Sequence, residues 1–226
     1  MTKALNVILV HGAWADGSSW SKVIPILRKH DLRVTAVQLP LTSLQDDVKA
    51  VERALAHVEG PTTLVGHSYG GVVITEAGND PKVVGLVYVA AFAPDAGESA
   101  GSLGASGAPP PLGAELRPDQ QGFLRITEAG VKESFAQDLS ASEKDVMFAT
   151  QSPTAGAALS ASVTKPAWKS KPSWYLVATS DRAIQPDLER TMAKKIKATT
   201  IEVKSSHLPM LSRPEETARL ILDAVA

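Results

Sequence analysis

Six short apolar, β-branched runs punctuate the chain, at Leu5–Val10, Arg33–Gln38, Thr62–Val65, Val83–Val89, Trp174–Ala178 and Thr200–Val203. Each has few polar interruptions, the pattern of strands covered on both faces. Between most of them lie stretches with helical spacing. Leu44, Val48, Val51, Leu55 and Val58 fall on one helical stripe. Thr42 with Gln45 reads as a capping box at its start, and Gly60-Pro61 as its stop. Ser212 with Glu215 reads as a second box, opening a terminal helix striped by Ala218, Ile221, Leu222 and Val225. Consecutive parallel strands need crossover helices, and those crossovers are right-handed. The expected class is therefore α/β, a mostly parallel, doubly wound sheet of about six strands flanked by helices.

That rhythm fails once. From Phe92 to about Lys171 no buried strand is legible, and Gly, Ala, Ser and Pro are dense. Ala100 to Pro111 is nearly all small residues and proline, which predicts a loop. Leu116–Leu124, Glu128–Leu139 and Ser142–Gln151 predict short helices. An insertion of this length between two strands predicts a small helical cap, residues 92–171, over a core built from 1–91 and 172–226.

Composition removes several kinds of chemistry. The 226 residues include no cysteine. A disulfide framework, a thiolate nucleophile and cysteine-bound metal are thereby excluded. Lys and Arg number 23 against 24 Asp and Glu, with no basic stripe, so a nucleic-acid partner has no electrostatic support. The run Val7–Val10 is too short for a signal or membrane segment, and nothing else approaches roughly 18 uninterrupted apolar residues. A soluble cytoplasmic protein with no membrane partner is the expectation, with oligomeric state left open.

The chemistry concentrates in three places. Gly66-His67-Ser68-Tyr69-Gly70 follows one apolar run and precedes the helical stretch Val72–Ala77. The G-x-S-x-G pattern is weak alone, but strand before and helix after are the context that gives it meaning. On such a turn the serine adopts a strained conformation that lifts its hydroxyl above the sheet, and flanking glycines avoid collisions with neighbouring backbone. The helix after Ser68 also directs its positive end at the site. A serine nucleophile needs a base. Among His11, His30, His57, His67 and His207, the last follows the final strand, at the sheet edge where active sites collect. His30 and His57 sit near helix ends in solvent, and His67 points away from the serine. The base needs a carboxylate to fix its tautomer. Asp181, just past the strand Trp174–Ala178, is the candidate. It could instead pair with Arg182 or cap the next helix, and Asp187 is the competing acid. Backbone N–H groups of Tyr69, after the nucleophile, and of Ala13, in the His11–Trp14 loop, are expected to hold an oxyanion.

Taken together, His11-Gly12, the Gly66–Gly70 elbow, Asp181 and His207 resemble the α/β-hydrolase superfamily over about 1–91 and 172–226. Within it, His11-Gly12-Ala13-Trp14 is similar to bacterial carboxylesterases related to plant hydroxynitrile lyases and methylesterases. Two antiparallel strands that usually precede the first motif are missing. Lyases of that branch carry threonine and lysine where this chain has Gly12 and Leu208, which disfavours cyanohydrin cleavage. The aspartate nucleophile of epoxide and haloalkane hydrolases is replaced by Ser68. The reading is a serine carboxylesterase: Ser68 attacks, His207 moves the proton, Asp181 orients His207, and an acyl-enzyme forms on a small neutral ester or lactone. No metal or organic cofactor is implied. Trp14, Phe92, Met147 and Trp168 are candidate substrate walls. Two alternatives use the same triad: a non-hydrolytic enzyme of perhydrolase, haloperoxidase or lyase type, and a slowly hydrolysing ligand receptor.

Overall fold

The computed structural model describes residues 4–226. Its strands are β1 (Asn6–Val10), β2 (Arg33–Val37), β3 (Thr62–Ser68), β4 (Val83–Ala91), β5 (Leu116–Pro118), β6 (Phe123–Ile126), β7 (Thr154–Ala155), β8 (Ser173–Ala178) and β9 (Thr199–Val203). Six of them form one sheet in the order β2-β1-β3-β4-β8-β9. Every pair in it is parallel, so all carboxyl ends share one edge. The chain winds one way from β1 to β2 and the other way from β3 onward. The loops after β1 and β3 therefore flank the switch point where a crevice opens.

Burial follows position in the sheet. Every residue of β1, β3 and β8 is buried, whereas β2, apart from buried Val37, and all of β9 are exposed or only partly buried. The expectation that all six strands are covered on both faces is thus corrected for the two edges, where no neighbour shields the outer rows. The helix Leu44–Ala56 buries Leu44, Val51 and Leu55 of the predicted stripe. Its cap is one residue later than predicted: Ser43 accepts from the Asp46 N–H, and Gln45 plays no part. The terminal helix starts at Pro214 with no side-chain cap, because Ser212 is engaged by Ser205 instead. Proline needs no N–H partner at a first helical turn and sets φ for it, so a cap is dispensable there.

The insertion is not purely helical. Leu116–Leu124, expected as a helix, is part of a hairpin: β5, β6 and β7 make a small antiparallel sheet. Local chemistry explains the difference. Pro118 cannot sit inside a helix. Asp119 Oδ1 accepts from the N–H groups of Gln121 and Phe123, closing a turn that ends at Gly122 with φ +82°. Ala100–Gly104, expected as loop, is one short helix held by a Ser99–Ser102 capping box. The other two expected helices are present as Glu128–Gly130, continued by a π-turn over Val131–Phe135, and Ala141–Thr150. No described helix is long and apolar enough to cross a membrane.

Candidate active site

Ser68 ends β3 with φ +52°, in the left-handed region that costs a non-glycine residue of order 1–3 kcal/mol. Close backbone approach holds it there. A Cβ on Gly66 would lie 2.5 Å from the Gly70 carbonyl oxygen, and one on Gly70 would lie 2.6 Å from the carbonyl oxygens of Val10 and His11. The turn is therefore wedged between its own helix, Gly70–Ala77, and the end of β1. A Cβ on Gly12 would come within 2.6 Å of Ser68 Cβ, so the loop after β1 rests directly on the serine. Across β4 the register jumps from Val89 to Ala91, and Ala90 bulges with φ +44°. That bulge lets the Phe92 N–H reach the Ser68 carbonyl at 3.1 Å.

Asp181 and His207 meet from the ends of β8 and β9. Asp181 Oδ2 lies 2.5 Å from His207 Nδ1, and both side chains are sealed from solvent. Asp181 Oδ1 accepts from the N–H groups of Ala183 and Ile184 at 2.6 and 3.0 Å. The carboxyl is thus fixed in the turn and cannot rotate away from the imidazole. The expected rival arrangements are absent among the described residues: Arg182 bonds the Glu133 carbonyl, and Asp187 is exposed and paired with Arg190. The His207 loop is held by Ser180 N–H on the Ser205 carbonyl and by Asp138 accepting from the Ser206 N–H. Phe135 covers the imidazole, ring centroids 5.1 Å apart.

His67 links the serine to this pair. Its ring centroid is 4.7 Å from that of His207, and its Nε2 lies 2.7 Å from the His207 carbonyl oxygen. A carbonyl only accepts, so Nε2 carries the proton. Burial holds this imidazole neutral, its pKa far below the ordinary value, and the neighbouring His207 pushes the same way. No hydrogen bond joins the Ser68 hydroxyl to His207 among the described residues. Such contacts are often long without substrate and tighten when it binds. His30 and His57 are exposed, as expected. His11 accepts the Leu39 N–H at Nε2 and donates from Nδ1 to the Gly12 carbonyl, and so braces the loop beside the serine.

That loop carries Ala13 and Trp14. The N–H groups of Ala13 and Tyr69 donate to no protein acceptor among the described residues. Trp14 has φ +58°, and two bonds hold it: its N–H to Thr154 Oγ1 and its indole N–H to the Leu124 carbonyl. An apolar cavity of about 130 Å³ opens beside it, with walls from Ala13, Trp14, Phe92, Leu112, Leu116 and Leu159. Trp14 and Phe92, two of the candidate walls, both line this cavity. Met147 and Trp168 do not. Met147 lines a separate groove with Asp16 and Glu143, and the Trp168 indole donates to the Pro94 carbonyl. Both lie in the insertion, whose Leu112, Leu116 and Leu159 face the cavity instead. Among the described residues no cluster of three or more His, Asp or Glu is arranged to hold a metal.

Two buried acids escaped the sequence reading, Asp47 and Glu189. Both sit in helices where an acidic residue looks like ordinary surface. Asp47 accepts the Tyr69 hydroxyl at 2.8 Å and the Leu41 N–H at 2.8 Å, tying the residue after the serine to the helix Leu44–Ala56. Burial pushes its carboxyl up to about 6, and those two bonds oppose the shift. Tyr69→Phe leaves one buried oxygen unpartnered and is expected to cost about 1–3 kcal/mol in urea unfolding near pH 7. Because the folded pKa is raised, the cost of ionised Asp47 grows as pH climbs from the unfolded value through about 6. The deficit of Tyr69→Phe should accordingly shrink near pH 5, where Asp47 is neutral in the folded protein. An equal loss at both pH values would show that Asp47 does not sense the hydroxyl.

Comparison with known proteins shows the family. A family model described as the alpha/beta hydrolase family matches residues 7–220. The chain belongs to that family. A pyrethroid hydrolase of Sphingobium wenxiniae is 27% identical over 96% of this chain and 86% of its own length. Salicylic acid-binding protein 2 of Nicotiana tabacum is 30% identical over a shorter stretch, 42% of each chain. The crystal structure of a pyrethroid hydrolase from Sphingobium faniae superposes with a TM-score of 0.86 at 23% identity, covering 98% of this chain and 97% of that one. The α/β-hydrolase is thus a carboxylic ester hydrolase related to the plant esterase branch.

Proposed function

We propose that this α/β-hydrolase cleaves small, largely neutral esters through a serine acyl-enzyme. The observation that carries the reading is the sealed 2.5 Å Asp181–His207 contact beside the strained Ser68 turn. Ser68 Oγ attacks the ester carbonyl while His207 Nε2 takes its proton. Asp181 stabilises the imidazolium and holds Nδ1 protonated. The Ala13 and Tyr69 N–H groups receive the charge that develops on the carbonyl oxygen. His207 returns the proton to the leaving alcohol, the acyl group stays on Ser68, and water activated by the same imidazole releases the acid. Every step is a proton or acyl transfer, so the atoms balance with water as the sole co-reactant.

We take the apolar cavity beside Ala13 and Trp14 as the seat of the acyl group, and its size then bounds that group. At about 130 Å³ it falls well below the roughly 300–1,000 Å³ of drug-sized sites, and its walls carry almost no polar groups. A short aliphatic or single-ring group fits that description; a charged acid does not. Activity on p-nitrophenyl esters of graded acyl length is expected to peak at short chains and fall by roughly tenfold or more once the chain outgrows the cavity. Adding a methyl ester and a pyrethroid to the panel extends the test to the chemistry of the named relatives. Equal rates across all chain lengths would remove the cavity from the account.

A further inference from the structure

Glu189, on the helix Pro186–Lys195, has 0% exposure, although Asp187 two residues earlier stands in solvent. Its Oε2 accepts the Ala178 N–H, at the end of β8, at 3.0 Å. Its Oε1 is sealed and meets no N–H or O–H donor. Within hydrogen-bonding reach of this carboxyl is that of Asp181, which already accepts from His207, Ala183 and Ile184. Two carboxylates facing each other away from water cannot both be ionised, and a hydrogen bond between them requires a proton on one. We propose that Glu189 is a positioning residue for ester hydrolysis: a neutral carboxylic acid whose Oε1–H donates to Asp181 and holds it in line with His207 Nδ1.

This role rests on the Ser68–His207–Asp181 reading. Burial first, and the Asp181 charge second, keep Glu189 protonated well above the usual carboxylate range. The other charged or titratable neighbours are Tyr175 on β8, whose hydroxyl donates to the Ala91 carbonyl, and Arg190, turned outward onto Asp187 and Glu202. His207 stands beyond Asp181. When the proton leaves Glu189 at alkaline pH, the donor becomes a second negative charge and pushes Asp181 out of register. Loss of activity on the alkaline side is the signature, since a serine–histidine pair alone gains from rising pH.

The test compares E189Q and E189M with wild type. Glutamine keeps an N–H donor toward Asp181 and an oxygen for the Ala178 N–H, with no proton to lose. Methionine keeps length and removes both. E189M is expected to lower kcat by roughly 10- to 100-fold at little change in KM, and E189Q to restore it. Wild-type kcat falls at alkaline pH while that of E189Q stays level. An infrared band of an undissociated carboxylic acid, present in wild type and lost in E189Q at neutral pH, reports the proton without reference to activity. Absence of that band, or a shared alkaline limb, overturns the proposal even where E189M does not fold. Turnover that survives Ser68→Ala would remove the triad reading itself. Wild-type behaviour of both Glu189 variants, with Ser68→Ala inactive, would remove only the role of Glu189.

Discussion

Ser68→Ala is expected to lower kcat/KM for a short-chain p-nitrophenyl ester by on the order of 10⁴-fold or more, with folding intact. The hydroxyl supplies the atom that attacks the ester in the proposed mechanism, so its loss leaves only direct attack by water, with no acyl-enzyme. The N–H groups of Ala13 and Tyr69 and the apolar cavity remain, and they account for the residual rate over solution. Alanine also relieves no packing: the Gly12 loop leans on the Cβ that both residues share. The measurement needs burst kinetics beside steady-state turnover, because with an activated ester whose deacylation is the slower step an acyl-enzyme on Ser68 gives a burst approaching the enzyme concentration. Mass spectrometry of the quenched wild type should find the acyl group on the peptide containing Ser68. Retention of turnover in the variant, or an acyl group elsewhere, would end the serine mechanism.

Asp181→Asn carries the second large effect, a fall also on the order of 10⁴-fold in kcat at neutral pH. Charge is only part of it. Oδ1 is tied to the Ala183 and Ile184 N–H groups, so the asparagine oxygen is held there and its NH₂ must face His207. An imidazole opposite an amide N–H accepts at Nδ1 and carries its proton on Nε2. In that tautomer it cannot take the proton of Ser68. Thermal unfolding and the burst assay separate this from misfolding: Asp181→Asn should unfold near wild type and acylate very slowly. Turnover within about tenfold of wild type would assign Asp181 a structural role only.

What the sequence disclosed, and what it hid, divides along a physical line. Sequence pattern located all six strands of the large sheet: the inner ones because buried parallel strands must be continuously apolar, the edge strands β2 and β9 because their half-exposed runs are still rich in β-branched residues. Ser68, Asp181 and His207 were legible because each directly follows or ends one of those strands, and parallel order alone brings such positions to one rim. The small β5-β6-β7 sheet was hidden: its strands are two to four residues long, too short to show alternation. Without the path of the insertion, its contribution to the cavity through Leu112, Leu116 and Leu159 could not be assigned, and Met147 and Trp168, the insertion residues named as walls, do not line it. Asp47 and Glu189 were hidden for a different reason. Each occupies the first turns of its helix, where acidic residues favour the dipole and ordinarily face water. Only tertiary packing shows that these two are enclosed.

The fastening of Trp14 has a consequence for how the enzyme can change over time. Its N–H and its indole N–H are bonded to Thr154 and Leu124, so the strip that presents Ala13 is stitched to the insertion rather than lying free beneath it. An insertion swinging away as one rigid flap would drag that strip off the serine. Inherited changes in the hairpin around Leu124 or Thr154 therefore bear on the posture of that strip as well as on the insertion itself.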